Sequence, residues 1–192
     1  TRTLSVAFKK ERFTEPIWVD AHQNDANETQ VRVVVGDEHR LRAVEENLQE
    51  WVKSPVSLLF FRHIRCLRIG DHEIRWDKLG PGPVRDTAWM SLHGEAGEVY
   101  LAVKSAAEPF PQDALEEIRE ERLFSGDEAL EFPPCKVEIV LGATGRLYVV
   151  LPTGVETMLP FACNAPFIQD PARLKIKEPE TSPTNRWLLD RI

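Results

Sequence analysis

The segment Leu147-Tyr-Val-Val-Leu-Pro-Thr-Gly-Val-Glu-Thr-Met-Leu-Pro-Phe-Ala-Cys-Asn-Ala-Pro-Phe-Ile168 narrows the fold more than any other part of this chain. Leu147 to Leu151 is an apolar run with adjacent valines and reads as a strand. Pro152-Thr-Gly154 then reads as its closing turn, since proline presets φ and glycine accepts the left-handed region. A second apolar run follows at once and leads into Asn164-Ala-Pro-Phe-Ile168.

Short strands and turns recur along the chain. Residues 1–30 read as polar and irregular, and Val31-Arg-Val-Val-Val35 as a strand broken by Gly36-Asp37. Asp37 is placed to cap a helix from Glu38 to about Lys53, with Leu41, Val44, Leu48 and Trp51 at helical spacing. Pro55 stops it. Leu67 and Ile69 lead to a turn at Gly70-Asp71, and His72-Glu-Ile-Arg-Trp76 alternates as the return strand of a hairpin. Leu79 to Val84 reads as a loop. Thr87 to Leu92 and Val99 to Val103 read as two strands around His93-Gly-Glu-Ala-Gly97. Pro109 and Pro111 open a second helix, with Leu115, Ile118 and Leu123 on one face and Glu116, Glu117, Glu120 and Glu121 toward water. Val137 to Leu141 and Arg146 to Leu151 read as a hairpin across Gly142-Ala-Thr-Gly145. Ser182 caps a last helix with Pro183 at its first position and Trp187, Leu188, Leu189 and Ile192 as its apolar face. Together these predict an α+β fold: a mixed, mainly antiparallel sheet built from hairpins, with two or three helices packed on it.

Composition excludes some functions. The 192 residues are 42% hydrophobic and 29% charged, which suits a domain with a sizeable core. A net charge of −7 argues against a general phosphate-backbone binder, so nucleic acid is not an expected partner. The local basic group Arg62, His63, Arg65 and Arg68 reads first as a solvated strand face. Cys66, Cys135 and Cys163 are widely spaced with no CxxC pair, so no zinc site is expected. Their odd number suits a reducing compartment such as the cytoplasm. No stretch approaches the ~20 apolar residues of a membrane span. The chain begins in mid-pattern at Thr1 and reads as a piece of a longer protein.

Three segments, in order, resemble the region that follows the ATP-binding domain in sacsin-like proteins of the gyrase, chaperone, histidine kinase and MutL ATPase superfamily. Thr29-Gln-Val-Arg-Val-Val-Val35 is similar to the last strand of that ATPase domain, with Glu28-Thr29 where the family often has Gly-Thr. Ser57 to Ile69 is similar to the segment after a connecting helix. Leu151-Pro-Thr-Gly154 through Arg173, then Asn185-Arg-Trp-Leu-Leu189, is similar to the family's closing signature. The resemblance implies that residues 1–36 end an upstream ATPase domain and that 37–192 form a transducer-like middle domain. It implies a non-catalytic role: coupling nucleotide state to a client or partner. ATP and magnesium would bind in the upstream domain of the same chain, and this stretch holds no catalytic or metal residues. Alternatively, the domain is an interaction module independent of nucleotide, gripping a partner through a sheet edge or apolar groove.

The resemblance also implies Arg173 and Lys175 as nucleotide-sensing candidates, since related large chaperones place a middle-domain arginine near the ATP γ-phosphate. A guanidinium pairs bidentately with phosphate and stays charged. The plainer account of Arg173 is a salt bridge to Asp170. Lys177 reads as a surface lysine, and Gly142-Ala-Thr-Gly145 as a turn lacking the Gly-Lys-Ser/Thr of a phosphate loop. The five histidines show no metal spacing, and Cys163 reads as a buried small hydrophobe. Trp51, Trp76, Trp89 and Tyr148 read as core.

Overall fold

The computed structural model describes residues 4–9, 12–20, 37–93, 97–121, 132–171 and 174–192. Two compact units divide the chain, Thr1–Ala43 and Val44–Ile192. In the first, β1 (Leu4–Lys9) and β2 (Arg12–Asp20) pair antiparallel, with Val6 opposite Trp18. The reading of 1–30 as irregular is corrected here. Leu4-Ser-Val-Ala-Phe8 carries the strand period that it overlooked. The strand expected at Val31–Val35 lies outside the described residues.

Helix α1 spans Glu38–Lys53, and Asp37 Oδ1 caps it by accepting the Arg40 N–H at 2.8 Å. Its apolar stripe is not core: no residue of α1 is buried, and Leu41, Val44 and Leu48 are exposed. Trp51, half-buried, stacks on Phe61 at 6.2 Å.

A 3-10 helix, Pro55–Phe60, follows α1 in the second unit. Eight strands follow: β3 (Cys66–Ile69), β4 (His72–Pro81), β5 (Thr87–His93), β6 (Glu98–Lys104), β7 (Glu138–Leu141), β8 (Arg146–Val149), β9 (Leu151–Glu156) and β10 (Phe161–Asn164). They form one sheet in the order β3-β4-β5-β6-β7-β10-β8-β9. Every neighbouring pair is antiparallel except β10 with β8. With α2 (Gln112–Glu121) and α3 (Pro183–Asp190) the fold is α+β, with a mainly antiparallel sheet. No helix of the described residues is long and apolar enough to cross a membrane. The loop expected from Leu79 is corrected, since β4 runs on to Pro81 through a register shift between Lys78 and Gly80.

Side-chain alternation gives the sheet two faces, each with its own core. Ile74, Leu92, Tyr100, Val140, Ala162 and Tyr148 point to one face and pack under Val56, Leu58 and Phe60 of the 3-10 helix. Leu147 and Cys163 point to the other and pack with Val137, Phe167 and Leu188. Phe110 and Trp187 close this second core with rings 5.1 Å apart. Burial raises the Cys163 thiol pKa to about 12 and also raises that of Cys135.

Two expected turns are corrected. β7 and β8 do not form a hairpin; β10 lies between them, antiparallel to β7 and parallel to β8. The chain reaches that slot by crossing the Gly142–Gly145 loop, where Gly142 N–H donates to Pro160 O at 3.3 Å and Thr157 N–H to Gly145 O at 2.9 Å. A Cβ at Gly145 would lie 2.3 Å from Leu159 O and 2.4 Å from Thr157 O. Pro152-Thr-Gly154 is likewise not the turn but part of β9. The reversal falls on Val150 alone, at φ +63°, between the paired residues Val149 and Leu151. Asn164 Oδ1 holds this left-handed valine by accepting its N–H at 2.7 Å.

Gly145→Ala tests the crossing. Backbone oxygens cannot swing aside as side chains can, so the loss in urea unfolding should be about 2–4 kcal/mol. A loss under ~0.5 kcal/mol, the range of ordinary surface changes, would mean that the crossing is not close-packed.

Candidate functional site

Asp170 organises the loop that carries the candidate sensing residues. Gln169 and Ile176 bridge antiparallel at its base, and Lys177 N–H donates to Ile168 O at 2.8 Å. Within the loop, Asp170 Oδ1 accepts the N–H groups of Leu174 and Lys175 at 2.9 and 3.0 Å. Asp170 N–H donates to Lys175 O at 2.9 Å. A short carboxylate bonding backbone a few residues on is what aspartate does well in turns. Lys175 is exposed on this loop, and Arg173 lies outside the described residues. One flank of the loop docks on β9, where Gly154 N–H donates to Leu174 O at 2.6 Å. A Cβ at Gly154 would sit 2.9 Å from that oxygen, so the glycine of Pro152-Thr-Gly154 is needed for close approach.

Asn185 ties the base of the loop to α3. Its Oδ1 accepts the Ile168 N–H at 2.8 Å, and its Nδ2 donates to Ile168 O and Lys177 O, both at 2.9 Å. Asn185 belongs to the first turn of α3, whose N-cap Ser182 accepts the Asn185 N–H at 3.2 Å. Ser182 Oγ donates to Glu117 Oε2 at 2.9 Å, and Thr184 N–H donates to the same oxygen at 3.0 Å. Thr184 Oγ1 donates to Ala114 O at 3.3 Å. Ser182, Thr184 and Asn185 have no exposed surface.

Glu117 corrects its expected outward position: it is only 9% exposed. It shares a helix face with Ala114 and Ile118, and a carboxylate suits the free N–H groups and positive dipole end of α3. Its Oε1 is the one buried side-chain oxygen among the described residues with no hydrogen-bond partner. Lys177 Nζ stands 4.0 Å from it and also pairs with Glu121. The hydrogen bond to Glu121 pushes the Lys177 pKa up. Lys177 therefore braces the loop base against α2 from a half-buried position.

Arg191 follows α3 as its C-cap. Its guanidinium donates to Cys135 O at 3.3 Å, Ser105 Oγ at 3.1 Å and Ala106 O at 2.7 Å, and lies 4.6 Å over the Trp187 ring. The sequence reading missed Glu117, Asn185 and Arg191. Ser182 with Asn185 three residues on was the available signal for a buried cap. Ala114, Glu117 and Ile118 at i, i+3 and i+4 were the signal for Glu117.

A separate cluster lies on the sheet face that carries Leu147 and Cys163. Ser91 Oγ is 2.9 Å from His93 Nε2, and Asp77 Oδ2 is 3.4 Å from the same nitrogen. A serine relay needs the hydroxyl and the carboxylate on different ring nitrogens. Both meet Nε2 here, and Ser91 is buried, so the group orients His93 without activating a nucleophile. Beside it on this face, Trp89, Val99 and Leu141 are exposed, which corrects Trp89 as a core residue; it is 41% exposed. Among the described residues no group of His, Cys, Asp or Glu is placed to hold a metal.

Two results are expected. Glu117→Ala should cost about 2–3 kcal/mol in urea unfolding, because Ser182 and Thr184 N–H lose their acceptor, while Glu117→Gln, which keeps an acceptor oxygen, should cost less. Equal losses would show that charge alone matters there. Of the three free cysteines, only exposed Cys66 should react quickly with a thiol reagent, because burial keeps Cys135 and Cys163 protonated; fast reaction of Cys163 would contradict its place in the core.

No protein-family model, curated protein or solved structure matches this chain.

Proposed function

We propose that residues 37–192 form a non-catalytic, transducer-like middle domain of a larger ATP-dependent, chaperone-like protein of the sacsin kind. ATP and magnesium bind in an upstream domain of the same protein. Arg173, assisted by Lys175, meets the γ-phosphate, and the domain passes that contact on to a client or partner. The way the 170–175 loop is held supports this reading. A sensing loop is useful only if its base is fixed to elements that can carry a displacement onward. This loop is fixed on three sides: to α3 through Asn185, to α2 through Lys177, and to β9 through Gly154. The cytoplasm is the proposed compartment, since the exposed free thiol of Cys66 persists best under reducing conditions.

One observation favours a second reading, an interaction module independent of nucleotide. Trp89, Val99 and Leu141 form an exposed apolar strip on one sheet face, and such strips commonly mark binding surfaces.

In a protein that includes the upstream ATP-binding domain, Arg173→Ala should lower ATP turnover by at least ~10-fold, with Lys175→Ala having a smaller effect. Unchanged turnover would remove Arg173 from the nucleotide site. Partner binding of equal strength with and without nucleotide would favour the second reading.

A further inference from the structure

The two edges of the eight-stranded sheet differ in what they leave unpaired. At β9 the edge is closed. Pro152 has no N–H, Gly154 N–H is taken by Leu174 O, and the pairing with β8 shifts register between Arg146 and Tyr148. Proline, an irregular register and a covering loop are known ways of protecting an edge.

At β3 the outward backbone is open among the described residues. Trp76 N–H donates to Arg65 O at 3.1 Å, so Arg65 occupies a hydrogen-bonded position opposite β4. Antiparallel alternation puts Leu67 and Ile69 in the same position and turns the N–H and C=O groups of Cys66 and Arg68 away from β4. No described residue bonds those outward groups. Both residues are exposed, and β3 contains no proline and no register shift.

Charge adds a direction. Arg62 to Ile69 contains Arg62, His63, Arg65 and Arg68 and no acidic residue, in a chain of net charge −7. Glu73 on β4 meets Arg68 at 2.5 Å and Arg75 at 3.3 Å. Arg62 and Arg65 make no ion pair among the described residues; Arg65 Cζ lies over the Trp76 ring, 5.4 Å from its centre. A guanidinium over the face of an indole is held by a cation–π attraction with donors still free for a carboxylate.

We infer that the β3 edge binds an extended acidic segment of a partner protein, which adds as a further strand beside Cys66–Ile69. Its backbone takes the outward groups of Cys66 and Arg68, and its carboxylates meet Arg62, Arg65 and Arg68. A second copy of this chain is a poorer occupant, because two β3 edges side by side would set arginines against arginines. Nucleic acid is poorer as well: it offers phosphates but no strand backbone, and the chain as a whole is acidic. This holds whether or not the domain senses nucleotide.

The test is fluorescence anisotropy of a labelled ~10-residue peptide of repeating Val-Glu-Glu-Val, whose glutamates fall on both strand faces as Arg65 and Arg68 do, titrated with the whole 192-residue chain. Saturable binding that weakens with salt is expected. Arg68→Pro removes one outward N–H without touching the ladder to β4, and should weaken binding about tenfold. Arg65→Glu with Arg68→Glu should abolish it, with folding of each variant checked by circular dichroism. A peptide N-methylated at alternate residues should also fail to bind, which keeps the test sound if Arg68→Pro unfolds the chain. Equal binding of the N-methylated peptide, of a lysine-for-glutamate peptide or of an oligonucleotide of the same charge would overturn the inference. So would no binding at all, or a dimer in ultracentrifugation that Arg68→Pro dissolves.

Discussion

The buried contact among Glu117, Ser182, Thr184 and Asn185 is the constraint on which the second unit's packing turns. Polar side chains without exposure are costly unless their partners are in place. Asn185 meets both sides of the 168–177 loop base, and Glu117 receives the first turn of α3. Helix α3 docks on α2 and on the loop base at once. Docking places Leu188 with no exposed surface in the core beneath Leu147 and Cys163. A purely apolar contact would allow sliding; directional hydrogen bonds fix one position. Arg191 then pins the end of α3 to Ser105, Ala106 and Cys135.

A second constraint is topological. β10 enters between β7 and β8, which requires the Thr157–Pro160 connection to pass against Gly145. The same insertion brings Asn164 to the Val150 reversal, where it accepts the Val150 N–H and donates to Glu138 at 3.0 Å. Asn164 thus links β10, the β8–β9 turn and β7. The segment from Leu147 to Ile168 acts as one assembly: a glycine for close approach, an asparagine to hold a strained residue, and a chain that leads into the Asp170 loop.

Local signals made much of the architecture legible. Helical spacing and caps located α1, α2 and α3, and alternation around Gly70-Asp71 located the β3–β4 hairpin. Strand partners were another matter. Val137–Leu141 and Arg146–Leu151 are separated by a turn-like Gly-Ala-Thr-Gly, and nothing local says that a later strand will part them. Pro152-Thr-Gly154 has turn composition, yet its proline suits an edge strand and its glycine serves contact with Leu174. Burial of Glu117 depended on α3, 65 residues away, and was invisible to a reading that treated acidic helix positions as solvated. The Asp77, Ser91 and His93 cluster similarly needs the β4–β5 register. Of the two sensing candidates, Lys175 sits on an Asp170-capped loop, a setting that Asp170-Pro171 could have suggested as a turn.

Held this way, the Asp170 loop, α2 and α3 form a connected set that could carry a contact made at the loop into the sheet. The proposed division of labour is that the nucleotide binds elsewhere and that this chain responds to it. The most direct measurement is thermal unfolding of the 192-residue chain across a titration of Mg-ATP. A specific ligand at ~100 times its dissociation constant adds about 2.7 kcal/mol by mass action. An unchanged melting temperature is the result expected of a middle domain. A saturable rise would mean that this chain has its own nucleotide site, and would contradict the division.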